Sequence, residues 1–70
     1  MQRRISFDPE VCHGKACIRG TRVLVSVILE SIAEGATVAD ILKNYPRLKR
    51  EDVQAALLYA SSLAKEEVLA

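Results

Sequence analysis

The stretch that decides the fold is TVADILKNYPRLKREDVQAALLYA, which runs from residue 37 to residue 60. Thr37 is a typical helix N-cap, and the carboxylate of Asp40 three positions later makes a variant of the capping box. Because a proline disfavours helical backbone at the residue before it, Pro46 predicts a helix over 38–44 that ends ahead of it. After the proline, apolar residues recur at helical spacing and predict a longer helix over 50–67.

A further helix is predicted upstream, over residues 24–34. Its apolar positions fall at i, i+3, i+4, i+7 and i+8, and Gly35 follows where a left-handed residue commonly closes a helix. We expect the apolar stripe of the 50–67 helix to face the core; it consists of Val53, Ala56, Leu57, Ala60, Leu63, Ala64 and Val68.

The first 22 residues are irregular, with short β-prone pieces between turn formers. Ile5 and Phe7 alternate with polar residues and predict a strand with one buried face. The predicted fold class is therefore mostly α: a three-helix helix-turn-helix domain, homeodomain-like or winged-helix-like, with a short N-terminal β strand or hairpin. We expect one domain over 1–70, with a β element at 1–22 and a trihelical part at 23–70. A plain three-helix bundle has the same pattern, so the fold leaves the function open.

Length and composition narrow the class of protein. A chain of 70 residues is too short for a multidomain enzyme, and a domain this small is stabilised by dimerisation. The hydrophobic fraction of 50% with only 4% aromatic residues predicts an aliphatic core. The sequence contains neither a long uncharged apolar run nor the apolar region of a signal peptide after its basic start, so we expect a cytoplasmic protein with no membrane partner.

The net charge of +1 hides an uneven distribution of charges. Residues 1–22 sum to +3, and residues 43–50, here named the basic run, carry four cations and no acid. The last twenty residues sum to −3 and form an acidic tail. This asymmetry is expected of a small nucleic-acid binder that also meets another surface.

The basic run is the candidate DNA-binding site. Lys49 stands where a capping residue is expected, and cations at a helix N-terminus oppose the helix dipole. A phosphate bound by the free N–H groups of that terminus would give the cations a role. Arg50 and Gln54 point away from the apolar stripe and are candidates for guanine and adenine edges. The predicted DNA-binding residues are Lys43, Arg47, Lys49, Arg50 and Gln54; the alternative is a solvated surface run partly neutralised by Glu51 and Asp52.

Two further sets of residues are candidate sites. The turn Arg19-Gly20-Thr21-Arg22 could hold an anion, since glycine permits close backbone approach, or it could only turn the chain into the first long helix. Apolar residues outside the main stripe predict a homodimer interface or a groove for a partner protein, the alternative being scattered surface residues. This predicted interface consists of Ile5, Phe7, Leu58 and Tyr59.

Metal and catalytic chemistry find little support in the sequence. Three residues are potential zinc ligands: Cys12, His13 and Cys17. Structural zinc sites require four ligands, and the chain has no other cysteine or histidine. In a reducing cytosol we expect the two cysteines to be buried thiols. No motif for a nucleophile or a phosphate loop is present, so we expect no enzyme, no metal and no cofactor.

The chain also resembles a known family. The stretch from Ile5 through FDPEVCHGKACIRGTRV to residue 23 carries most of the similarity, together with Asp40-Ile41-Leu42, Tyr45-Pro46-x-Leu48 and Glu51-Asp52-Val53. These motifs are similar to those of family four hundred and thirty-three of the domains of unknown function, the VapB-type antitoxin-like domains. The match extends over nearly the whole chain.

The resemblance implies a homeodomain-like or Trp-repressor-like helix-turn-helix, usually encoded beside a PIN-like ribonuclease toxin. By that analogy the protein would be an antitoxin of a type II pair that neutralises the nuclease and represses its own operon as a homodimer. The other hypothesis is a protein-interaction module that does not bind DNA. Two positions depart from the family pattern: Ala16 stands where proline is frequent, and Lys49 stands where threonine or serine is typical.

Overall fold

The computed structural model describes residues 3–69, except the side chains of Val11 and of residues 66–69. The predicted fold class is confirmed, because three long helices follow a short two-stranded antiparallel hairpin. In chain order the elements are β1 (Ile5–Ser6), α1 (Pro9–Cys12), β2 (Cys17–Ile18), α2 (Val25–Ala33), α3 (Val38–Asn44) and α4 (Arg50–Leu69).

The hairpin places Ile5 opposite Ile18 and Ser6 opposite Cys17. After β2 the chain reverses through a tight turn and returns alongside the same strand, where Leu24 forms an isolated bridge with Cys17. The backbone N–H of Ile18 donates to the carbonyl of Val23 over 2.9 Å. The turn at 19–22 is therefore held at both ends by backbone hydrogen bonds.

The short helix α1 is an element that the sequence analysis did not predict. The side chain of Asp8 caps it by accepting from the N–H of Glu10, and Pro9 supplies a first helical residue that needs no N–H partner. This turn brings Cys12 against β2, where it forms a disulfide with Cys17. The prediction of two thiols is therefore wrong. It was based on the reducing cytosol and did not consider that the loop brings the two cysteines together.

The predicted bounds of the three helices agree with the structure to within two residues. Thr37 and Asp40 make both hydrogen bonds of a capping box at the start of α3. Tyr45, ahead of the proline, has an extended ψ of 79° and ends α3. Gly35 follows α2 with φ of 101°, a conformation that glycine adopts without steric cost.

The core is aliphatic and lies where α2 meets α3, α4 and β2. Three isoleucines, one from each of β2, α2 and α3, are almost completely buried. The buried core residues are Ile5, Ile18, Val25, Ile28, Ile41, Leu48, Val53, Ala55 and Ala56. Within residues 3–69, no helix combines the length and the apolar character needed to cross a membrane.

The predicted stripe of α4 is only partly buried. Val53 and Ala56 are in the core, but Leu57 is 41% exposed, Leu63 is 46% exposed and Ala64 is exposed. Val68 lies outside the side chains that the structure describes. Leu57 lies before the half-buried Tyr59 and Ala60, so its exposure reflects its position around the helix. For Leu63 and Ala64 the cause is length, because α4 with 20 residues is about 30 Å long, whereas α2 with nine residues and α3 with seven span about 14 and 10 Å. The shorter helices leave the far part of α4 without a packing partner.

Candidate nucleic-acid interface

The turn between α3 and α4 is anchored by its apolar residues. Leu48 is buried, Tyr45 is half-buried, and the N–H of Leu48 donates to the carbonyl of Tyr45 over 2.9 Å. With these side chains directed into the protein, the polar residues around them face solvent. All the predicted DNA-binding residues are exposed: Lys43, Arg47, Lys49, Arg50 and Gln54.

The N-terminus of α4 is capped by a carboxylate from its own first turn. Asp52 is 5% exposed, and its Oδ2 accepts from the backbone N–H of Lys49 over 2.9 Å. Its Oδ1 accepts from Nη1 of Arg4 over 2.8 Å in an ion pair that ties the N-terminal segment to α4. Asp52 thus makes up for the missing capping side chain at Lys49.

This arrangement bears on the predicted phosphate site at the start of α4. Free N–H groups at the start of α4 were expected to attract a phosphate; the N–H of Lys49, just before the helix, is engaged by a carboxylate of the first turn. A phosphate approaching this terminus would meet the negative charge of Asp52. The capping irregularity at Lys49 is therefore explained by intramolecular contacts and requires no bound anion.

Hydrogen bonds made by its own side chains hold the turn at 19–22 in place. The hydroxyl of Thr21 donates to the carbonyl of Ile18 and accepts from the N–H of Val23. Arg19 donates from Nε to the carbonyl of Arg3 over 2.9 Å and from Nη2 to the carbonyl of Ile5 over 3.3 Å. Arg19 therefore binds the hairpin together.

Two residues of this turn have positive φ. Gly20 adopts a φ of 83°, which glycine tolerates, and Arg22 adopts a φ of 63°. A left-handed conformation is uncommon for a side chain as long as arginine and has a steric cost. Gly20 thus turns the chain as one of the two interpretations predicted, and Arg22 is held in strained backbone.

The structure brings the turn at 19–22 next to the basic run. Nη1 of Arg47 lies 3.5 Å from the carbonyl oxygen of Gly20 and donates to it. Between them is a hollow of about 270 Å³, here named the arginine hollow. Its lining residues are Ser6, Asp8, Cys17, Arg19, Gly20, Thr21, Arg22 and Arg47. The sequence predicts these arginines in two separate sites, and nothing local in it indicates that they meet.

Lys43 belongs to a different depression, between α2 and α3. This open depression of about 530 Å³ is lined by Ser31, Glu34, Gly35, Ala36, Asp40, Lys43 and Asn44. The backbone N–H of Thr37, and then its side chain, hold the pKa of the Asp40 carboxyl below its usual value. The carboxylates here counter the charge of Lys43, so this depression is less suited to an anion than the arginine hollow.

The predicted apolar interface is partly brought together. The rings of Phe7, which is 51% exposed, and Tyr59 lie with centroids 6.0 Å apart. They border an apolar groove of about 400 Å³ lined by Phe7, Gly14, Lys15, Ala16, Val25, Ser26, Leu29 and Tyr59. Leu58 is 61% exposed. Ile5 is 4% exposed, so its assignment to a surface is wrong: it is the strand residue that faces the core, and Phe7 lies beyond the end of β1.

The potential metal ligands of the described residues do not form a cluster. Cys12 and Cys17 are bonded to each other, so neither sulfur is a thiolate ligand. Among the described side chains, which end at residue 65, no group of three or more histidine, cysteine, aspartate or glutamate residues could hold a metal ion.

The fold and this surface define a class: a small, mostly α domain of three helices with an N-terminal hairpin and a basic face at the α3–α4 turn. The chain belongs to the family described as Protein of unknown function (DUF433), whose model matches residues 5–60. That match includes the hairpin, the turn at 19–22 and the basic run.

Two relatives support the family assignment. The chain is 33% identical over 58 residues to the uncharacterized protein y4eO of Sinorhizobium fredii (strain NBRC 101917 / NGR234), an alignment that covers 83% of this chain and 26% of that protein. It is 37% identical to a DUF433 member protein from Anabaena variabilis ATCC 29413, whose crystal structure superimposes with a TM-score of 0.82. That superposition covers 93% of this chain and 64% of the other. The chain thus spans about a quarter of one relative and less than two thirds of the other.

Proposed function

We propose that this protein is a DNA-binding antitoxin of a type II toxin–antitoxin pair, which represses its own operon and neutralises a PIN-like ribonuclease toxin. The observation that carries the DNA-binding part is the common exposure of Lys43, Arg47, Lys49, Arg50 and Gln54 around a buried anchor, Leu48. Exposed cations beside a turn between two helices are the usual means by which a small helical domain contacts a phosphate backbone.

In this proposal the α3–α4 pair meets the duplex, and α4 enters the groove with its first two turns. Arg50 and Gln54 lie four residues apart on α4, one helical turn, and therefore on the same exposed face. Their side chains have the donors and acceptors that pair with guanine and adenine edges. Lys43 and Arg47 contact phosphates and set the orientation.

The protein is proposed to act as a cytoplasmic homodimer without enzymatic activity. The apolar groove beside Phe7 and Tyr59, with the exposed Leu58, supports a second protein surface for a like subunit or for the toxin. The N-terminal segment or the acidic tail is proposed to contact the toxin; Glu66 and Glu67 of the tail lie outside the side chains that the structure describes.

The experiment is binding of the purified protein to a labelled duplex from its own upstream region, compared with a scrambled duplex and titrated with salt. Specific binding with a steep salt dependence is expected. The double variant Lys49→Ala/Arg50→Ala should lower the log–log salt slope by about one for each lost phosphate contact. The control Lys65→Ala removes an exposed cation near the other end of α4 and should leave the slope unchanged. An unchanged slope in the double variant would remove these residues from the interface.

The alternative function is a protein-interaction module that does not bind DNA, and the apolar groove favours it. Under this alternative, the protein should bind a DNA duplex of any sequence weakly and should bind a partner protein tightly. Partner binding would be insensitive to Lys49→Ala/Arg50→Ala and lowered by Tyr59→Ala. Because both functions expect a complex with a partner protein, the duplex titration is the measurement that separates them.

A further inference from the structure

The arginine hollow concentrates positive charge. Arg19, Arg22 and Arg47 line a space of about 270 Å³ that contains one lining carboxylate, Asp8. Oδ1 of that carboxylate accepts from the N–H of Glu10 at the start of α1. Like charges placed close together are unfavourable unless an anion lies between them. The lining is thus complementary to an anion.

The arginines differ in the donors that they still offer. Arg19 uses Nε and Nη2 on backbone carbonyls of the hairpin. Arg47 uses Nη1 on the carbonyl of Gly20, at the long distance of 3.5 Å, which leaves most of its five N–H groups for another acceptor. The guanidinium of Arg22 makes no hydrogen bond to the described residues and is exposed. Arg22 and Arg47 therefore supply the hydrogen-bond donors for a ligand, and Arg19 stabilises the hairpin beside the hollow.

The backbone at Arg22 adds an independent observation. Its φ of 63° would suit glycine or asparagine better than arginine. A strained residue with a long cationic side chain, at the rim of a charged hollow, indicates that the side chain serves a purpose other than stability.

Charge favours this hollow over the N-terminus of α4 as the place for a phosphate. Asp52 places a carboxylate at that terminus, whereas three of the residues that line the hollow are arginines. Guanidinium groups bind phosphate oxygens through paired, charge-assisted hydrogen bonds.

We propose that the arginine hollow binds one backbone phosphate of a nucleic-acid duplex, through Arg22 and Arg47. The N-terminal hairpin thereby becomes a second contact with the duplex, beside the α3–α4 turn. The proposal rests on the DNA-binding function proposed above, and it adds Arg22, at 25 positions before Arg47 in the chain, to the interface.

The test compares Arg22→Asn, Arg47→Gln and the control Lys65→Gln with the unmodified protein. Binding to the labelled upstream duplex is followed by fluorescence anisotropy over a range of KCl concentrations. Each hollow variant should weaken binding by about tenfold and lower the salt slope by at most about 0.9, the value of one phosphate contact, and the control should do neither. Because asparagine tolerates left-handed backbone, Arg22→Asn should melt at the same temperature as the unmodified protein or higher, so weaker binding would not reflect unfolding.

The outcomes separate this proposal from the proposed function. If Arg22→Asn binds with an unchanged slope while Arg47→Gln and Lys49→Ala/Arg50→Ala lower it, the hollow is not a phosphate site and DNA binding by the basic run stands. In a parallel arm, inorganic phosphate is titrated while the Nε–H signals of Arg22 and Arg47 are followed by NMR. Changes in the chemical shifts of these signals, without any binding to the duplex, would overturn the proposal that the ligand is a nucleic acid and would indicate a free anion instead. No response to either probe would overturn both proposals.

Discussion

Replacement of Asp52 tests whether this carboxylate holds the N-terminal segment on α4. Asp52→Ala removes two contacts. The 2.9 Å hydrogen bond from the N–H of Lys49 is a helix cap, worth about 1 kcal/mol. The ion pair with Arg4 is worth about 1 kcal/mol and no more, since the Arg4 side chain is 44% exposed and solvent screens the pair. The expected loss of unfolding free energy is about 2 kcal/mol.

Thermal unfolding followed by far-UV circular dichroism measures this loss. In a domain of this size, about 2 kcal/mol lowers the melting temperature by roughly 8–16 °C. Asp52→Asn keeps an oxygen acceptor for the N–H of Lys49 and loses the charge, so about half of the effect is expected. Glu51→Ala is the matched control: it removes an exposed carboxylate from the same helical turn and should cost under about 0.5 kcal/mol.

Equal melting temperatures for Asp52→Ala and Glu51→Ala would refute the reasoning. A double-mutant cycle with Arg4→Ala isolates the ion pair, and its coupling energy should be about 1 kcal/mol.

The variant Asp52→Ala should also change DNA binding. Because Asp52→Ala frees the N–H of Lys49 and removes a negative charge from the helix terminus, duplex affinity should increase.

Three further predictions concern the scaffold. Reduction of the Cys12–Cys17 disulfide, which spans a sequence separation of 5, should destabilise the protein by about 2 kcal/mol and lower its melting temperature in dithiothreitol. Asp40, whose pKa is lowered by Thr37, stabilises the fold above its unfolded value of 3.8 and loses this contribution as pH falls through the lower folded pKa; the melting-temperature difference between the protein and Asp40→Asn should therefore shrink below about pH 4. Ile28→Val, at a fully buried position of α2, should cost about 1 kcal/mol in urea unfolding.

Each of these has an outcome that contradicts it. A melting temperature unaffected by dithiothreitol, with the thiols shown to be reduced, would mean that the disulfide contributes nothing. A constant difference between the protein and Asp40→Asn down to acid pH would exclude the capping-box carboxylate as its cause. Leu63→Ala, at a 46% exposed position, is the control for Ile28→Val, and an equal loss in both would contradict the assignment of the core.

Some parts of the fold were predictable because they depend on neighbours in sequence. The capping box at Thr37 and Asp40, the end of α3 before Pro46 and the left-handed Gly35 are local matters of backbone geometry. The exposure of the basic run was also predictable, since long cations are rarely buried without partners. The short helix α1 was missed because its four residues are too few to show a period.

The sequence by itself therefore determined the three long helices, their ends and the residues that carry charge at the α3–α4 turn. Only the tertiary structure decided which side of α4 is covered, that Asp52 pairs with Arg4, and that Arg47 lies beside the turn that contains Arg22. The physical reason is that helix ends follow from hydrogen bonds between residues three or four apart, whereas these contacts join residues 25 or more positions apart. Such contacts depend on how helices of unequal length pack around one small core.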